Sequence, residues 1–433
     1  MLVEFQTESQ SPAFYQQELE QLLPITQRYL LVIGIECYRD QKGVRYVDQL
    51  WYKDIIQHLN YLKNLTIACP CRYQEPPKNA IALDHDPKLA NVQFIDLPAS
   101  SSLIQGIKQL PATIFKLWQA IGQASIVHTQ VAGWPIPLGW LVTPIVLLRK
   151  KLYIIVVESA PWRVQPGTNN KLPAKIRAYV SERLNRWCVN KTDLAIFTQE
   201  EYKQSLLTKN QNQGHIIHAS WIDEENVISE AHAKATWQQK NSASTEELKI
   251  LFPGRLVANK GVLVLLEAMK ILDKRNIPIK LDILGEGELF AECQKVSQSL
   301  QNTQIRMLGT LPYNSEFFNL LQNYHALIVP TISGEQPRIA YDAYSQAVPI
   351  LGSDTAGMRD CVQQNKTGIL VKSNDPIALA ELLIKSWQNL DKLESMGMSS
   401  LAVARGMVHR TMHKKRWLLL SEMLSSPSAL KRL

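Results

Sequence analysis

Apolar residues recur along this chain in two alternating patterns. Short continuous runs read as strands covered on both faces: residues 29–35 (YLLVIGI), 65–69 (LTIAC), 92–97 (VQFIDL), 125–128 (SIVH), 152–158 (LYIIVVE), 193–198 (DLAIFT) and 215–219 (HIIHA). Stretches with helical spacing lie between most of them. In residues 47–62 the apolar positions Val47, Leu50, Trp51, Ile55, Leu59 and Leu62 share one helix face, and residues 36–46 before it read as a polar loop. Residues 226–248 are polar without a clear strand and read as an interdomain linker. The alternation then restarts with strands at 249–254, 279–285, 304–309, 326–330 and 348–353 and helices at 262–272, 288–300, 315–324 and 339–347. Strands alternating with helices predict parallel sheets with crossover helices, an α/β fold wound twice over.

The run from Val131 to Leu148 holds 18 residues without a charge and ends in Arg149-Lys150-Lys151. Its length is at the edge of a membrane span. Pro135, Pro137 and Pro144 argue against a regular spanning helix, so a helix packed on a sheet is the expectation. No charged segment precedes an apolar one at the start, and no secretory signal is expected. The six cysteines form no CxxC pair, and Cys69-Pro-Cys71 is too tight for a zinc knuckle, which predicts reduced thiols in a cytoplasmic protein.

Charge adds a second layer. The net charge is +8, but residues 101–200 hold 12 Lys/Arg against 4 Asp/Glu and residues 401–433 hold 7 against 1. Such blocks suit an acidic substrate or an anionic membrane surface. Nucleic acid is not expected, because no reader motif interleaves these cations with aromatics. Residues 171–189 set Lys171, Lys175, Arg177, Arg183 and Arg186 beside Leu172, Ile176, Val180, Leu184 and Trp187, an amphipathic pattern that fits either a core face or a bilayer surface.

Three turns carry candidate chemistry. In residues 253–262 (PGRLVANKGV) a strand runs into Gly254, Arg255 and Lys260 follow five residues apart, and a helix opens after Gly261. Two cations beside a helix N-terminus suit a diphosphate. Gly285 and Gly287 form a second turn after the strand 279–285, on the ligand edge of such a sheet. In the third, Glu335 lies on a loop, with Arg338 next to a helix start and Asp342 two turns of chain further on. Carboxylates so placed can accept hydrogen bonds from sugar hydroxyls.

These segments, in this order, resemble the donor domain of retaining glycosyltransferases of the GT-B fold, family 4 (group 1) type. The likeness runs over residues 250–371 and includes SDTAGMRD and NKTGILV. The first half resembles the family's acceptor domain more loosely, through 125–130 (SIVHTQ). The resemblance implies two Rossmann-like doubly wound domains facing across a cleft. An acceptor domain would span 1–225, a linker 226–248 and a nucleotide-sugar domain 249–400, with a helix in 401–433 crossing back to the first domain. It assigns Arg255 and Lys260 to the donor diphosphate and Asp342 to the nucleotide ribose; Glu335 is the candidate for the transferred sugar, Arg338 adds a third cation near the phosphates where the family has other residues, and His128, at the first position of the family's H-x-H, is either a catalytic candidate or a strand-end histidine satisfied in the core. Gly357 and Asp360 match its G-x-P-E turn.

The sequence departs from the family in two places. The acid eight residues before Asp342 is replaced by Gly334, so Glu335 stands one position off, and the second histidine of H-x-H is Gln130. The implied activity is transfer of a hexose from a nucleotide-sugar to a hydroxyl acceptor, lipid-linked or saccharide, with retention, as in polysaccharide or lipid glycosylation. The nucleotide-sugar is substrate, and no cofactor or metal is expected. The alternative is a non-catalytic nucleotide-sugar-binding protein of the same fold, at the membrane's inner face or free of it. A dinucleotide oxidoreductase is disfavoured, because residues 34–43 do not spell G-x-G-x-x-G.

Overall fold

The computed structural model describes residues 23–133, 136–164, 172–243 and 247–433. Pro135 and Lys171, singled out above, lie outside the described residues. The chain divides into two compact units. The first holds the residues up to Val156, Lys191–Ala195 and His413–Leu433; the second holds Val157–Asn190 and Ile196–Met412. The division therefore falls earlier than the border expected near 225–249.

In the first unit, β1 (Ile25–Val32) pairs in parallel with β4 (Leu62–Tyr73) and β7 (Ile126–Gln130), and β7 pairs with β8 (Leu152–Val157). Leu30 sits opposite Thr66 and Val127, and Leu30, Leu31 and Val32 are buried, as a run covered on both faces must be. Two further strands follow in the chain, β9 (Leu194–Phe197) and β10 (Gly214–Ile216), the latter within the second unit. On the other side, β6 (Gln93–Pro98) joins β4 in parallel.

Residues 36–46 are not a plain loop. They hold β2 (Cys37–Arg39) and β3 (Arg45–Val47), an antiparallel pair, and β3 pairs with β5 (Ile81–Ala82). The Asp40 side chain closes the turn by accepting from the amides of Lys42 and Val44 at 2.9 Å each. The uncharged run after Val131 forms the helix Leu138–Leu148, whose Leu138, Val142, Ile145 and Val146 are buried. Among the described residues no helix is long and apolar enough to cross a membrane. The six cysteines are buried thiols.

The end of the chain belongs to the first unit. The helix His409–Leu424 carries His413, which meets the Tyr61 hydroxyl at 3.1 Å and the Asp54 carboxylate at 3.0 Å, and Trp417 donates to the Leu23 carbonyl at 3.1 Å.

The second unit is built on six parallel strands in the order β13-β12-β11-β14-β15-β16. They are β11 (Leu248–Pro253), β12 (Ile279–Leu284), β13 (Gln304–Gly309), β14 (Ala326–Val329), β15 (Ile350–Asp354) and β16 (Gly368–Lys372). In sequence terms this is the order 3-2-1-4-5-6 of a dinucleotide-type sheet. Its winding reverses between β11 and β14, so the loops leaving those two strands flank the switch point where such sheets bind ligands. The helix Val262–Lys274 follows β11 and buries Val262, Leu265, Leu266, Met269 and Leu272, one stripe at helical spacing.

The segment read as a linker is instead an element of this unit. Residues Glu230–Ala243 form a helix whose Ala233 and Trp237 are fully buried in the core. Trp237 donates its indole N–H to the Ala347 carbonyl at 2.9 Å, and the Lys240 ammonium reaches the Tyr324 carbonyl at 3.0 Å. A polar composition concealed the helix because one tryptophan and one alanine suffice to anchor it.

Candidate functional site

Four strand ends meet at the switch point, and glycines let them meet closely. Gly261 begins the helix Val262–Lys274 in the left-handed region, at φ 75°. A Cβ there would stand 1.8 Å from the Pro330 carbonyl oxygen, so the loop after β11 rests directly on the loop after β14. Gly285, at φ 154°, brings the turn after β12 so near Gly254 that a Cβ would lie 1.9 Å from its carbonyl oxygen. Hydrogen bonds fasten the same contacts. Gly254 donates to Leu284 at 2.9 Å, Leu256 to Glu286 at 2.8 Å, and Leu289 to Leu256 at 3.0 Å. The Asn259 carbonyl accepts from the amide of Ile332 and the hydroxyl of Thr331, each at 3.1 Å. The fourth loop, after β15, sends the Gly357 amide to the Gly334 carbonyl at 3.1 Å.

Gly261→Ala is therefore expected to destabilise the protein. Strain at such a backbone costs roughly 1–3 kcal/mol, before the steric cost of pushing Pro330 away. At roughly 2–4 °C per kcal/mol for a domain of this size, a thermal melt should show a drop of several degrees; an unchanged melting temperature would mean that the two loops move apart freely.

Charged side chains converge on this frame. Lys260 is half-buried, and burial is the main cause of its lowered pKa. The Glu335 carboxylate opposes that shift, while the guanidinium groups of Arg255 and Arg338 add to it. The structure thus brings Arg255, Lys260, Glu335 and Arg338 into one electrostatic neighbourhood. Arg255 and Arg338 are exposed, and the Arg338 guanidinium lies 5.7 Å from the Trp221 ring. The first turn of the helix Val262–Lys274 has no side-chain cap, so its amide groups add positive potential beside Lys260. Glu335 is half-buried on its loop, its amide donating to the Ser333 hydroxyl at 3.3 Å. Burial first, and then the Glu335 charge, push the Tyr202 phenol up.

Asp342 stands in the helix Ile339–Ser345 and is only 7% exposed. Its Oδ1 accepts from the Tyr313 hydroxyl at 2.7 Å, which, after burial, is what raises the Tyr313 pKa. Asp360 accepts from the Glu200 amide at 2.7 Å, at the start of the helix Glu200–Leu206. Arg359, where the family's turn has proline, pairs with Asp354 at 2.7 Å.

His128 belongs to the first unit, apart in the chain from these groups. It lies in β7, 7% exposed, with its Nδ1 at 2.8 Å from the Tyr29 hydroxyl. Burial, and then the charge of Arg416, hold its pKa well below the usual imidazole value, so it is neutral at pH 7. It is a core histidine with a satisfied ring nitrogen.

Three residues of the site escaped the sequence reading. Gln199 is fully buried and donates its amide to the Gly334 carbonyl at 2.9 Å, which fixes the loop that bears Glu335. It follows β9 directly, and its place just past a strand's carboxyl end was the available signal. Tyr313 and Trp221 lie on connecting segments with no such mark.

Comparison with known proteins gives a consistent result. Residues 233–400 match the family model described as glycosyl transferases group 1. The capsular polysaccharide biosynthesis glycosyltransferase CapM of Staphylococcus aureus is 22% identical over 223 residues, 51% of this chain and 58% of CapM. The chain spans about half the length of the curated relatives it matches. Among solved structures, Anabaena HepE in complex with UDP superposes with a TM-score of 0.62 at 12% identity, over 91% of this chain and 100% of that one. Sucrose-phosphate synthase of Thermosynechococcus elongatus gives 0.66 at 15% identity, over 92% and 100%. At such identities the likeness establishes the fold, two parallel-sheet domains of the GT-B type.

Proposed function

We propose that this chain, which has the GT-B fold and whose residues 233–400 match the group 1 glycosyl transferase family model, transfers a sugar from a nucleoside-diphosphate sugar to a hydroxyl acceptor with retention at the anomeric carbon. The observation that carries this reading is the meeting of Arg255, Lys260, Arg338 and Glu335 at the switch point. Three cations and a helix N-terminus suit a diphosphate, and one acid among them suits the sugar that leaves it. As the bond from the anomeric carbon to the diphosphate breaks, negative charge grows on the leaving oxygen. Preorganised cations stabilise that charge more in the transition state than in the ground state. They supply the positive charge from the chain itself, a role that asks for no metal.

Lys260 and Arg255 would face the diphosphate, with Arg338 at its edge and Gly254, Gly285 and Gly287 allowing close backbone approach. Glu335 would accept from the sugar hydroxyls, and Asp342 would share its carboxylate between Tyr313 and the ribose. UDP is the first nucleotide to test, since HepE has been solved with UDP and with UDP-glucose. Relatives in capsular polysaccharide and colanic acid biosynthesis favour a saccharide or lipid-linked acceptor.

The test is a thermal-shift panel of nucleoside diphosphates and their sugars, followed by nucleotide release from whichever donor stabilises the protein. A ligand at about 100 times its dissociation constant should add roughly 2.7 kcal/mol of stability. Release of UDP, even by slow hydrolysis, with an axial product from an axial donor, is the expected result. Stabilisation without turnover in the presence of varied saccharide acceptors would instead support the binding-protein alternative.

A further inference from the structure

The helix Leu172–Val189 buries Ser181, Asn185, Cys188 and Val189 and leaves most of its other apolar residues exposed. A surface helix buries its apolar stripe and exposes its polar one. Here Ser181 and Asn185 are buried, at 6% and 0% exposure, while Leu172 (69%), Ile176 (56%), Tyr179 (64%), Val180 (46%), Leu184 (37%) and Trp187 (41%) face outward. At 3.6 residues per turn these six fall within an arc of roughly 140°. Among the described residues that stripe is not a core face, the reading that the sequence alone left open.

Charge identifies the occupant. Around the helix, Lys175 and Arg186 border the apolar arc on one side, Arg177 borders it on the other, and Arg183 falls within it; all four are exposed. The helix's acid, Glu182, is held by Arg163 at 2.7 Å and by the Trp162 indole at 2.7 Å, with Arg186 at 4.0 Å. The outward face is therefore apolar, and the exposed charges that the helix itself sets around it are cationic. Long Lys and Arg chains can lay their stems along apolar surface and keep their charges at headgroup level, and Trp and Tyr favour the same depth. A protein partner would need an acidic rim around an apolar groove; an anionic bilayer offers both features at every point of its surface.

We propose that the helix Leu172–Val189 lies in the headgroup region of an anionic bilayer and is this protein's membrane-docking surface. The proposal does not depend on the donor chemistry above.

Flotation of the full chain with vesicles tests it, using phosphatidylcholine alone and phosphatidylcholine mixed with phosphatidylglycerol. The chain should float with the mixed vesicles and hardly at all with the neutral ones. Ile176→Ser/Trp187→Ser should lower the partition coefficient by about tenfold or more, and so should changing Lys175, Arg177, Arg183 and Arg186 to Gln. Because these side chains are exposed, both variants should melt as the wild type does. A third variant, Ile107→Ser/Phe115→Ser, alters another exposed apolar face, on the helix Leu103–Gln123. Loss of binding in that variant alone overturns the proposal. So does a wild-type chain that ignores anionic vesicles, or one that dimerises through this face and becomes monomeric in Ile176→Ser/Trp187→Ser.

Discussion

Lys260→Ala should lower turnover of a nucleotide-sugar by a hundred- to a thousandfold, roughly the cost of removing one preorganised donor from a developing anion. The same change should weaken binding of the nucleoside diphosphate by about 1.5–3 kcal/mol, the scale of a hydrogen bond to a charged group. Nucleoside without phosphates should bind nearly as before. Arg255→Ala should act in the same direction but less, because Arg255 is exposed and solvent screens its charge, whereas Lys260 is half-buried. A pH profile supplies an independent readout. Burial, with smaller contributions from Arg255 and Arg338, lowers the Lys260 pKa below its ordinary 10.5 despite the Glu335 carboxylate. In the folded protein Lys260 therefore loses its charge at a lower pH than a free lysine does, and kcat/KM should fall on the alkaline side as pH rises through that point. The linkage to stability has the opposite sign from a salt bridge. The charged lysine is disfavoured in the fold, so its penalty is present below the folded pKa and is relieved as pH rises through it. A bound diphosphate should raise the pKa again, and calorimetry should record proton uptake on binding at alkaline pH. Equal losses for diphosphate and nucleoside in Lys260→Ala would make the residue structural and remove it from the site.

What could be read from the residues follows from which signals are local. Five of the six strands of the second unit were legible because each is a short apolar run closed by glycine, proline or a polar turn, and a sheet buried on both faces requires that pattern; β16, Gly368–Lys372, was not read as a strand. The observed strand β13, Gln304–Gly309, matches the reading residue for residue. The pair β2 and β3 was not legible, since three-residue strands such as Cys37–Arg39 show no alternation and exist by virtue of the Asp40 turn. The helix Glu230–Ala243 was lost because Ala233 and Trp237 are the apolar residues that it buries, with Lys240 buried beside them. At the site, Arg255, Lys260 and the glycines were visible because a strand, a turn and a helix start follow one another in sequence. Gln199 was invisible as a partner of Gly334, because 135 residues separate them and nothing local announces the contact. His128 shows the converse. Its place at a strand's end looked functional, and the fold satisfies it with Tyr29 from another strand.

Glu335→Gln should reduce turnover by about tenfold or more while leaving nucleotide affinity little changed, with each tenfold corresponding to about 1.36 kcal/mol of transition-state stabilisation. The backbone on which this rests is well fixed although it is not helical. The Gly334 carbonyl accepts from both Gly357 and Gln199, at 3.1 and 2.9 Å, and Glu335 donates to Ser333. A Cβ at Gly334 would meet nothing within 4 Å, so the position where the family has its acid is open space here. The Glu335 charge acts on Lys260, whose pKa it holds up against burial, and on Tyr202, whose rise from burial it adds to. Under the proposed function, the acid that acts electrostatically on Lys260 is also the one expected to meet the transferred sugar. Glutamine keeps the size and removes the charge. That charge also holds the Lys260 pKa up, so its removal should let the pKa fall further and move the alkaline limb of the pH profile to lower pH. Both readouts should change together. If turnover is unaltered and the alkaline limb stays in place, Glu335 neither meets the sugar nor acts on Lys260. If the limb moves while turnover at neutral pH is unaltered, Glu335 is a positioning residue for Lys260 alone, and another acid must meet the sugar.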